Sequence, residues 1–303
     1  MAVAQPVSDI FGQKWCDIPV PGKTTENDAD PMLLRSVAEQ LATEAAAFVR
    51  RRRAEVFGDA PTPRTTAQAV RAKSTPTDPV TVVDTETERL LRDRLAELRP
   101  GEHILGEEEG GSTAAHDGLT WVLDPIDGTV NFVYGIENYA VSVAVQRGGA
   151  SLAGAVANVP TGALYSAALG HGAHVRRGEA TTVLRANTVD ELSMSLVGTG
   201  FSYAPEQRIR QAEILAKLLP VVRDFRRIGS CALDLCMVAA GALDGYFEDG
   251  VHVWDWAAAA LIAAEAGAKL LLPAADGAAG LVVAAAPGIA DALTGELRRA
   301  GAL

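Results

Sequence analysis

The sequence has few cysteines and few basic residues relative to acidic ones, and each shortage excludes a class of protein. Three cysteines in 303 residues are too few, and odd in number, to form a disulfide framework, so we expect a reducing, cytoplasmic environment. Lys and Arg total 27 against 38 Asp and Glu, which gives a net charge of -11. Because nucleic-acid binding needs a cationic surface, this balance predicts no nucleic-acid partner.

Long hydrophobic runs and targeting signals are also lacking. No stretch of about 20 apolar residues occurs, because Asp255 and Glu265 bound the longest candidate. The first 31 residues lack the basic start and apolar run of a secretory signal. The sequence therefore predicts no membrane partner. Residues 1–31 are rich in Pro, Asp and Thr, and this composition predicts a disordered N-terminal extension.

The remaining composition and patterning predict a folded protein with two halves. Hydrophobic residues make up 48% and charged residues 21% of the chain, which is typical of a globular domain. Within His103–Val175, short apolar runs alternate with Gly-rich turns, and this favours an antiparallel meander. Strands and helices alternate further on. We therefore expect an α+β fold, with an α+β half over residues 32–185 that holds a metal site. An α/β half over 186–303 would complete the active site, and the halves would stack in layers.

The segment Trp121–Phe132, WVLDPIDGTVNF, carries the strongest chemical motif. A predicted strand delivers Asp124 at its carboxyl end, Pro125 ends that strand in a turn, and Asp127 follows three residues after Asp124. Two carboxylates from one turn are the oxygen ligands that Mg²⁺ prefers. Backbone N–H groups of a helical turn starting at Gly128 could receive phosphate oxygens. The alternative is a plain turn with Asp as cap and Gly as breaker.

Three further acidic positions lie at the ends of predicted elements. Glu107 follows a strand at His103–Leu105 that could pair with the strand ending in Asp124, which would bring a carboxylate beside the aspartates. Asp255 precedes an apolar helix, and Asp84 opens another helix after a short strand at residues 80–83. Each of these aspartates is also explained as an ordinary helix N-cap. A run of three glutamates, of which Glu107 is the first, is equally typical of a solvated loop.

Other motifs for phosphate chemistry are absent from the sequence. Haloacid-dehalogenase-type phosphatases use a D-x-D-G-T nucleophile motif with the acids two apart, whereas Asp124 and Asp127 are three apart. No G-x-x-x-x-G-K-[ST] loop occurs, and the five His residues show no zinc pattern. In a net-acidic protein, bound divalent cations could neutralise an anionic substrate locally. The residues themselves therefore favour metal-dependent phosphoryl transfer.

Two segments resemble the inositol monophosphatase family. They are WVLDPIDGTVNFVYG at Trp121–Gly135 and WDWAAAALIAAEAGA at Trp254–Ala268. The order of other segments is similar too: KSTPTDPVTVVD at Lys73–Asp84, GEEEG at Gly106–Gly110 and RRIGSCALDLCMVAAGALDGYFE at Arg226–Glu248. The resemblance spans about residues 33–300. It implies the sugar phosphatase fold, with layers in the order α-β-α-β-α, and a homodimer.

The resemblance also implies a role for each residue of the site. Two or three Mg²⁺ ions would be held by carboxylates and one backbone carbonyl, from Glu107, Asp124, Ile126, Asp127 and Asp255. Glu107 would also act in catalysis, Thr129 would position the attacking water, and Asp84 would orient the Thr129 hydroxyl. Substrate contacts would come from Asp127, Gly128, Thr129, Cys231 and Glu248.

The implied reaction is hydrolysis of myo-inositol monophosphate to inositol and phosphate by metal-activated water, with inhibition by lithium. The motifs recognise metal and phosphate, so histidinol phosphate, fructose 1,6-bisphosphate and a nucleotide 3′-phosphate stay open as substrates. Cys231 replaces the small residue that is common there in the family, and Trp256 is bulky, so both affect substrate fit. A non-catalytic regulatory protein on the same fold is disfavoured, because every ligand position carries a competent residue.

Overall fold

The computed structural model describes residues 29–58, 70–73, 75, 78–111, 118–273 and 278–303. Of the predicted extension at residues 1–31, the first 28 residues lie outside this described part, and so does Cys16. Cys231 and Cys236 are both buried and both unpaired. Within the described residues the chain forms two large sheets, one small hairpin sheet and the helices that cover and separate them.

The helices and strands have the following bounds. The helices are α1 (Pro31–Phe57), α2 (Val82–Leu98), α3 (Thr129–Tyr134), α4 (Pro205–Leu218), α5 (Cys231–Ala239), α6 (Val253–Glu265) and α7 (Ala290–Ala300). The strands are β1 (Val70–Ala72), β2 (Pro79–Thr81), β3 (His103–Gly106), β4 (Leu119–Asp127), β5 (Ala140–Arg147), β6 (Ala150–Asn158), β7 (Leu164–Ala168), β8 (Ala173–Arg177), β9 (Ala180–Val183), β10 (Leu196–Thr199), β11 (Asp224–Arg226), β12 (Gly245–Val251), β13 (Lys269–Leu271) and β14 (Gly280–Ala285). Across the ranges described, none of the helices combines the length and the apolar character that a membrane crossing needs.

The first large sheet has seven strands in the order β3-β4-β5-β6-β7-β8-β9. From β4 onward each neighbour is antiparallel, but β3 pairs with β4 in parallel. The prediction of a purely antiparallel meander is therefore wrong at its first strand. Parallel pairing puts the carboxyl ends of both strands at one edge. As a result Glu107, which follows β3, donates its N–H to the carbonyl of Leu123 in β4 at 3.2 Å.

Two element ends differ from the prediction near the acidic motif. Strand β4 does not stop before Pro125 but continues to Asp127, and its register with β5 is broken between Asp124 and Asp127. Proline has no N–H to donate to the ladder, so an irregularity forms here in place of a strand end. The predicted strand at residues 80–83 is also shorter, because Thr81 caps α2 by accepting from the N–H of Val83.

The second large sheet is mixed, in the order β11-β10-β12-β14-β13. Strand β10 is parallel to β11 and β12, whereas β14 is antiparallel to β12 and β13. Glu248 lies inside β12, which runs on to Val251 past a bulge after Asp249. Mixed sheets with packed helices confirm the α+β class.

The helices and sheets form the predicted α-β-α-β-α layers. Helices α1 and α2 cover one face of the seven-stranded sheet, α5 and α6 lie between the sheets, and α7 packs with α4 on the outer face of the other sheet. Most residues of α5 and α6 are buried, because a helix covered on both sides must be apolar on most of its surface. The proposed division after residue 185 stays a prediction, since α5 and α6 contact strands of both sheets.

Gly154 of β6 lies where the sheet touches the backbone of α6. A Cβ built on Gly154 would lie 2.8 Å from Cα and 2.9 Å from Cβ of Ala258. We expect Gly154→Ala to push α6 away from the sheet and to lower the free energy of unfolding by about 1–3 kcal/mol, measured by urea denaturation.

Gly295 provides a matched control inside α7. The atoms nearest to a Cβ built there are 3.9 Å away, at the end of the flexible Arg299 side chain. Gly295→Ala should therefore raise the free energy of unfolding by about 0.5–1 kcal/mol, because glycine weakens a helix interior. If Gly154→Ala were as well tolerated as Gly295→Ala, the close packing of β6 on α6 would be disproved.

Candidate metal and phosphate site

Three aspartate carboxylates meet where the end of β4 faces the start of α6. Asp124 and Asp127 come from the irregular end of β4, and Asp255 comes from the first turn of α6. One oxygen from each lies within 4.8 Å of the others. Anionic oxygens at this spacing are the ligands that a hard divalent cation such as Mg²⁺ prefers.

Each aspartate is oriented by hydrogen bonds to only one of its oxygens. Asp124 accepts from the N–H of Ile126 at 3.0 Å, and Asp255 accepts from the N–H of His252 at 2.6 Å. The same oxygen of Asp127 accepts from the hydroxyl of Ser230 at 2.5 Å and from the N–H of Ala232 at 2.7 Å. Among the described residues no donor reaches the second oxygen of these three carboxylates, so that oxygen is available to a cation.

The electrostatics of the aspartates also fit a bound cation. Burial raises the pKa of Asp124 well above its ordinary value, and the charges of Glu107, Asp127 and Asp255 raise it further. Burial raises the pKa of Asp127 to about 7 and raises the pKa of Asp255 well above the usual range. Buried like charges are unfavourable unless a counter-charge compensates them. This donor set therefore fits a divalent metal.

Glu107 lies beside the aspartates but is paired with a lysine. Its Oε1 is 2.7 Å from Nζ of Lys73, which also lies 2.5 Å from Glu108. Burial alone would lower the pKa of Lys73, but the two glutamates raise it above its ordinary value. Glu107 is not among the oxygens within 4.8 Å, yet its charge raises the pKa of the nearby Asp124. Lys73 was not among the predicted site residues.

Glu88 of α2 builds the turn that presents Glu107. It is completely buried and accepts from the N–H groups of Glu108 at 2.7 Å and Glu109 at 3.0 Å. Arg92, one helical turn on, pairs with it at 2.8 Å. Glu88 was not among the predicted site residues. The Glu-x-x-x-Arg spacing from Glu88 to Arg92 predicts an ion pair on the helix surface. It does not predict that Glu88 contacts a turn that is distant in the sequence.

The Thr129 hydroxyl lies between Asp84 and a backbone carbonyl. Its oxygen is 3.2 Å from Oδ1 of Asp84 and 3.1 Å from the carbonyl oxygen of Ile126, so its one hydrogen goes to either acceptor. Asp84 is not the N-cap of α2 but its third residue, and its other oxygen accepts from the N–H of Thr81 at 2.9 Å. Burial raises the pKa of Asp84 to about 6. The lone pairs of the Thr129 oxygen stay free to accept from a water.

Gly128 packs closely against a second turn of the chain. Its φ is 95°, and a Cβ built there would lie 3.0 Å from the carbonyl oxygens of Asn138 and Gly229. The Asn131 side chain ties these segments together, since its amide donates to the carbonyls of Asn138 at 2.7 Å and Ile228 at 2.9 Å. A glycine is required at position 128 both for the backbone conformation and for this close approach.

Glu248 and Cys231 face the same cavity from the second half of the chain. Glu248 accepts a hydrogen bond from the Tyr246 hydroxyl, and its carboxylate lies against Gly200, where a Cβ would be 1.9 Å from Oε2. Burial raises the pKa of Glu248 above its ordinary value. Cys231 is the first residue of α5 and is buried. No local sequence signal linked Gly200 or Tyr246 to this position.

The cavity has a volume of about 690 Å³. Every predicted site residue lines it except Asp84, which is fully buried and reaches the cavity through Thr129. A cavity of this size falls within the range that proteins use for small ligands, about 300–1,000 Å³. Acidic and polar side chains both line the cavity, and this lining suits a small phosphate ester whose charge is neutralised by cations.

Comparisons with a family model, with curated proteins and with solved structures all identify the same family. A model of the inositol monophosphatase family matches residues 30–301. An inositol-1-monophosphatase from Mycobacterium leprae is 66% identical over 282 residues, which cover 91% of this chain and 97% of that protein. The solved structure of Mycobacterium tuberculosis SuhB matches with a TM-score of 0.77 and 59% identity, covering 92% of this chain and 100% of that chain. The Nus factor SuhB of Vibrio cholerae is 39% identical over 193 residues, covering 63% of this chain and 70% of that protein.

Proposed function

The chain belongs to the inositol monophosphatase family of phosphoric monoester hydrolases, and on this premise we propose that it is a Mg²⁺-dependent phosphatase acting on myo-inositol monophosphate. The observation that carries this proposal is the trio of aspartate carboxylates, two buried and one half-buried, with oxygens within 4.8 Å of one another on the wall of a cavity of about 690 Å³. The relatives named inositol-1-monophosphatase support the choice of inositol as the alcohol.

The chemistry divides between bound cations and the side chains of this protein. Two or three Mg²⁺ ions would be held by the five predicted ligands: Glu107, Asp124, the Ile126 carbonyl, Asp127 and Asp255. Bound there, Mg²⁺ would acidify a water and neutralise the phosphate. The Thr129 hydroxyl, held by Asp84 at 3.2 Å, would orient the attacking water in line with the scissile bond. N–H groups of Gly128 and Thr129 would bind phosphate oxygens.

Further properties belong to the same proposal. Li⁺ would inhibit by taking one of the acidic positions, the active form would be a homodimer, and the enzyme would work in the cytoplasm without nucleic-acid or membrane partners. The same chemistry on histidinol phosphate, fructose 1,6-bisphosphate or a nucleotide 3′-phosphate is the alternative. A purely regulatory role is less consistent with the site, because the acidic cluster and the Asp84–Thr129 contact are both present.

The substrate assignment is tested through Glu248. Its carboxylate is expected to accept hydrogen bonds from substrate hydroxyls, and such charge-assisted bonds contribute about 1.5–3 kcal/mol. Glu248→Gln should therefore lower kcat/KM for inositol 1-phosphate about 10- to 100-fold, since about 1.4 kcal/mol is tenfold. Hydrolysis of a simple aryl phosphate, which has no such hydroxyls, should change little. Both are measured as Mg²⁺-dependent phosphate release.

The same assay includes the controls. Glu296→Gln alters a glutamate that pairs with Arg299 on α7 and does not line the cavity, so both rates should stay at the wild-type level. Excess chelator should abolish turnover, and continued turnover there would disprove the metal mechanism. Equal loss on both substrates in Glu248→Gln would assign this residue to the metal site or the fold, and no loss would remove the support for inositol.

A further inference from the structure

Gln211 is a buried polar residue on a helix face whose other buried residues are apolar. The buried positions of α4 are Gln211, Ile214 and Leu218, which lie three and four residues apart and therefore share one face of the helix. Only 7% of Gln211 is exposed, and it does not line the cavity. A buried carboxamide is unfavourable unless its donor and its acceptor are both bonded. The partners of Gln211 therefore explain its position.

The carboxamide of Gln211 joins two segments of the cavity wall. Its Oε1 accepts from the N–H of Ser202 at 2.9 Å, and its Nε2 donates to the carbonyl of Asp249 at 3.0 Å. Ser202 belongs to the loop between β10 and α4, and Asp249 follows Glu248 in β12. Ser202 and Asp249 both line the cavity. Gln211 thus connects two parts of the wall from behind, without facing the cavity itself.

The backbone ladder between β10 and β12 ends before these two segments. Its last pair in register is Thr199 with Phe247. The next residues are Gly200 and Glu248, and the Glu248 carboxylate lies against Gly200, where a Cβ would be 1.9 Å from Oε2. The carboxamide of Gln211 offers one acceptor and one donor, as a peptide group does. It therefore joins the two chains again just beyond the position of Glu248.

We propose that Gln211 is a positioning residue for Glu248, and that it thereby sets the preference of the enzyme for an alcohol that carries free hydroxyl groups. The inference rests on the proposed function, in which Glu248 accepts hydrogen bonds from those hydroxyls. Gln211 does not touch the substrate. It holds the N–H of Ser202 and the carbonyl next to Glu248 at a fixed separation. Hydrogen bonds weaken steeply when their geometry is lost, so a displaced Glu248 would recognise the hydroxyls poorly.

The test compares kcat/KM for inositol 1-phosphate and for a simple aryl phosphate in one Mg²⁺ assay. Gln211→Met keeps a side chain of similar length but removes both hydrogen bonds. It should lower kcat/KM for inositol 1-phosphate about fivefold, mainly through KM, and change the value for the aryl phosphate less than about twofold. Gln211→Asn keeps an amide in the buried site, but it is about 1.5 Å shorter and cannot bond both segments. It should fold at least as well as Gln211→Met and show a similar selective loss.

Two further variants distinguish positioning from a purely structural role. In the Glu248→Gln background, Gln211→Met should lower kcat/KM for inositol 1-phosphate by less than about a further twofold, because the residue through which it acts is already altered. Gln146→Met is the matched control. Gln146 of β5 is also buried and donates to the hydroxyl of Ser151 at 3.2 Å, but it does not line the cavity. This variant should lower Tm and leave the ratio of the two kcat/KM values unchanged.

Two kinds of result would overturn the inference and leave the proposed function intact. The first is an unchanged ratio of the two kcat/KM values in Gln211→Asn and Gln211→Met, whether both rates stay at the wild-type level or fall equally. The second is a loss in Gln211→Met that multiplies in full with that of Glu248→Gln. A wild-type enzyme without Mg²⁺-dependent phosphate release from inositol 1-phosphate would instead refute the proposed function, and this inference with it.

Discussion

Asp124→Asn is expected to lower kcat for phosphate release by about three orders of magnitude or more while the protein stays folded. The charges of Glu107, Asp127 and Asp255 all raise the pKa of Asp124, and one oxygen of Asp124 lies within 4.8 Å of an oxygen of Asp127 and of Asp255. Asparagine keeps the shape and can still accept from the N–H of Ile126, which lies 3.0 Å from Oδ1. It removes the negative charge that bound cations would share, and metal stabilisation of the transition state contributes several kcal/mol.

Asp244→Asn is the matched control for this variant. Asp244 is also buried, but it accepts from the side chain of Asn187 at 2.8 Å and from the N–H of Leu196 at 2.7 Å and does not line the cavity. The NH₂ group of an asparagine at position 244 would face one of these N–H donors in place of a carboxylate oxygen. The free energy of unfolding should therefore fall, while kcat stays close to the wild-type value. If Asp124→Asn kept more than about a tenth of the wild-type kcat, Asp124 would not bridge catalytic cations.

The acidic motif was the part of the site that local sequence could predict. Asp124 and Asp127 lie three residues apart around Pro125, and this spacing alone indicates carboxylates directed to one point. Asp84 and Asp255 were ambiguous, since each could be a helix cap. In the structure each is the third residue of its helix and accepts a capping N–H with one oxygen only. A capping bond and a second oxygen that does not cap therefore coexist in one side chain, and sequence alone does not show what that second oxygen contacts.

The supporting contacts could not be predicted, because they join residues that are distant in the sequence. Ser230 reaches Asp127 across 103 positions, and Glu88 reaches the turn at Glu108 across 20 positions. The parallel pairing of β3 with β4 depends on which neighbour β3 finds in the folded sheet. Periodicity and turn residues specify single elements, whereas these contacts depend on how whole elements pack.

The stability of the metal-free protein should fall as the pH rises through the range in which the aspartates ionise. Burial raises the pKa of Asp127 to about 7 in the folded chain, against about 3.9 for an unfolded Asp. Between these values the folded state binds more protons than the unfolded state, so the free energy of unfolding decreases with increasing pH. Asp124 and Asp255, whose pKa values are also raised, act in the same direction.

Mg²⁺ should reverse this loss, because it supplies at neutral pH the positive charge that protons supply at low pH. At a Mg²⁺ concentration about 100 times the dissociation constant, binding to the folded state adds about 2.7 kcal/mol. For a chain of 303 residues that corresponds to a rise in Tm of about 4 °C. The measurement is Tm in chelator and in Mg²⁺, at about pH 5.5 and about pH 7.5. The Mg²⁺ effect should be larger at the higher pH, since protons compete for carboxylates.

The Asp124→Asn variant shows how much of these effects comes from the three aspartates and how much from other titrating groups. It lacks one of the three aspartate charges and leaves every other titrating group in place. In chelator at about pH 7.5 it should be more stable than the wild type, since a buried charge that faces like charges has been removed. It should also lose most of the Tm rise on adding Mg²⁺ and part of the dependence on pH. The opposite pattern would contradict the cation site: a variant less stable than wild type in chelator, with an undiminished response to Mg²⁺. In that case Asp124 would stabilise the fold, and the metal would bind elsewhere.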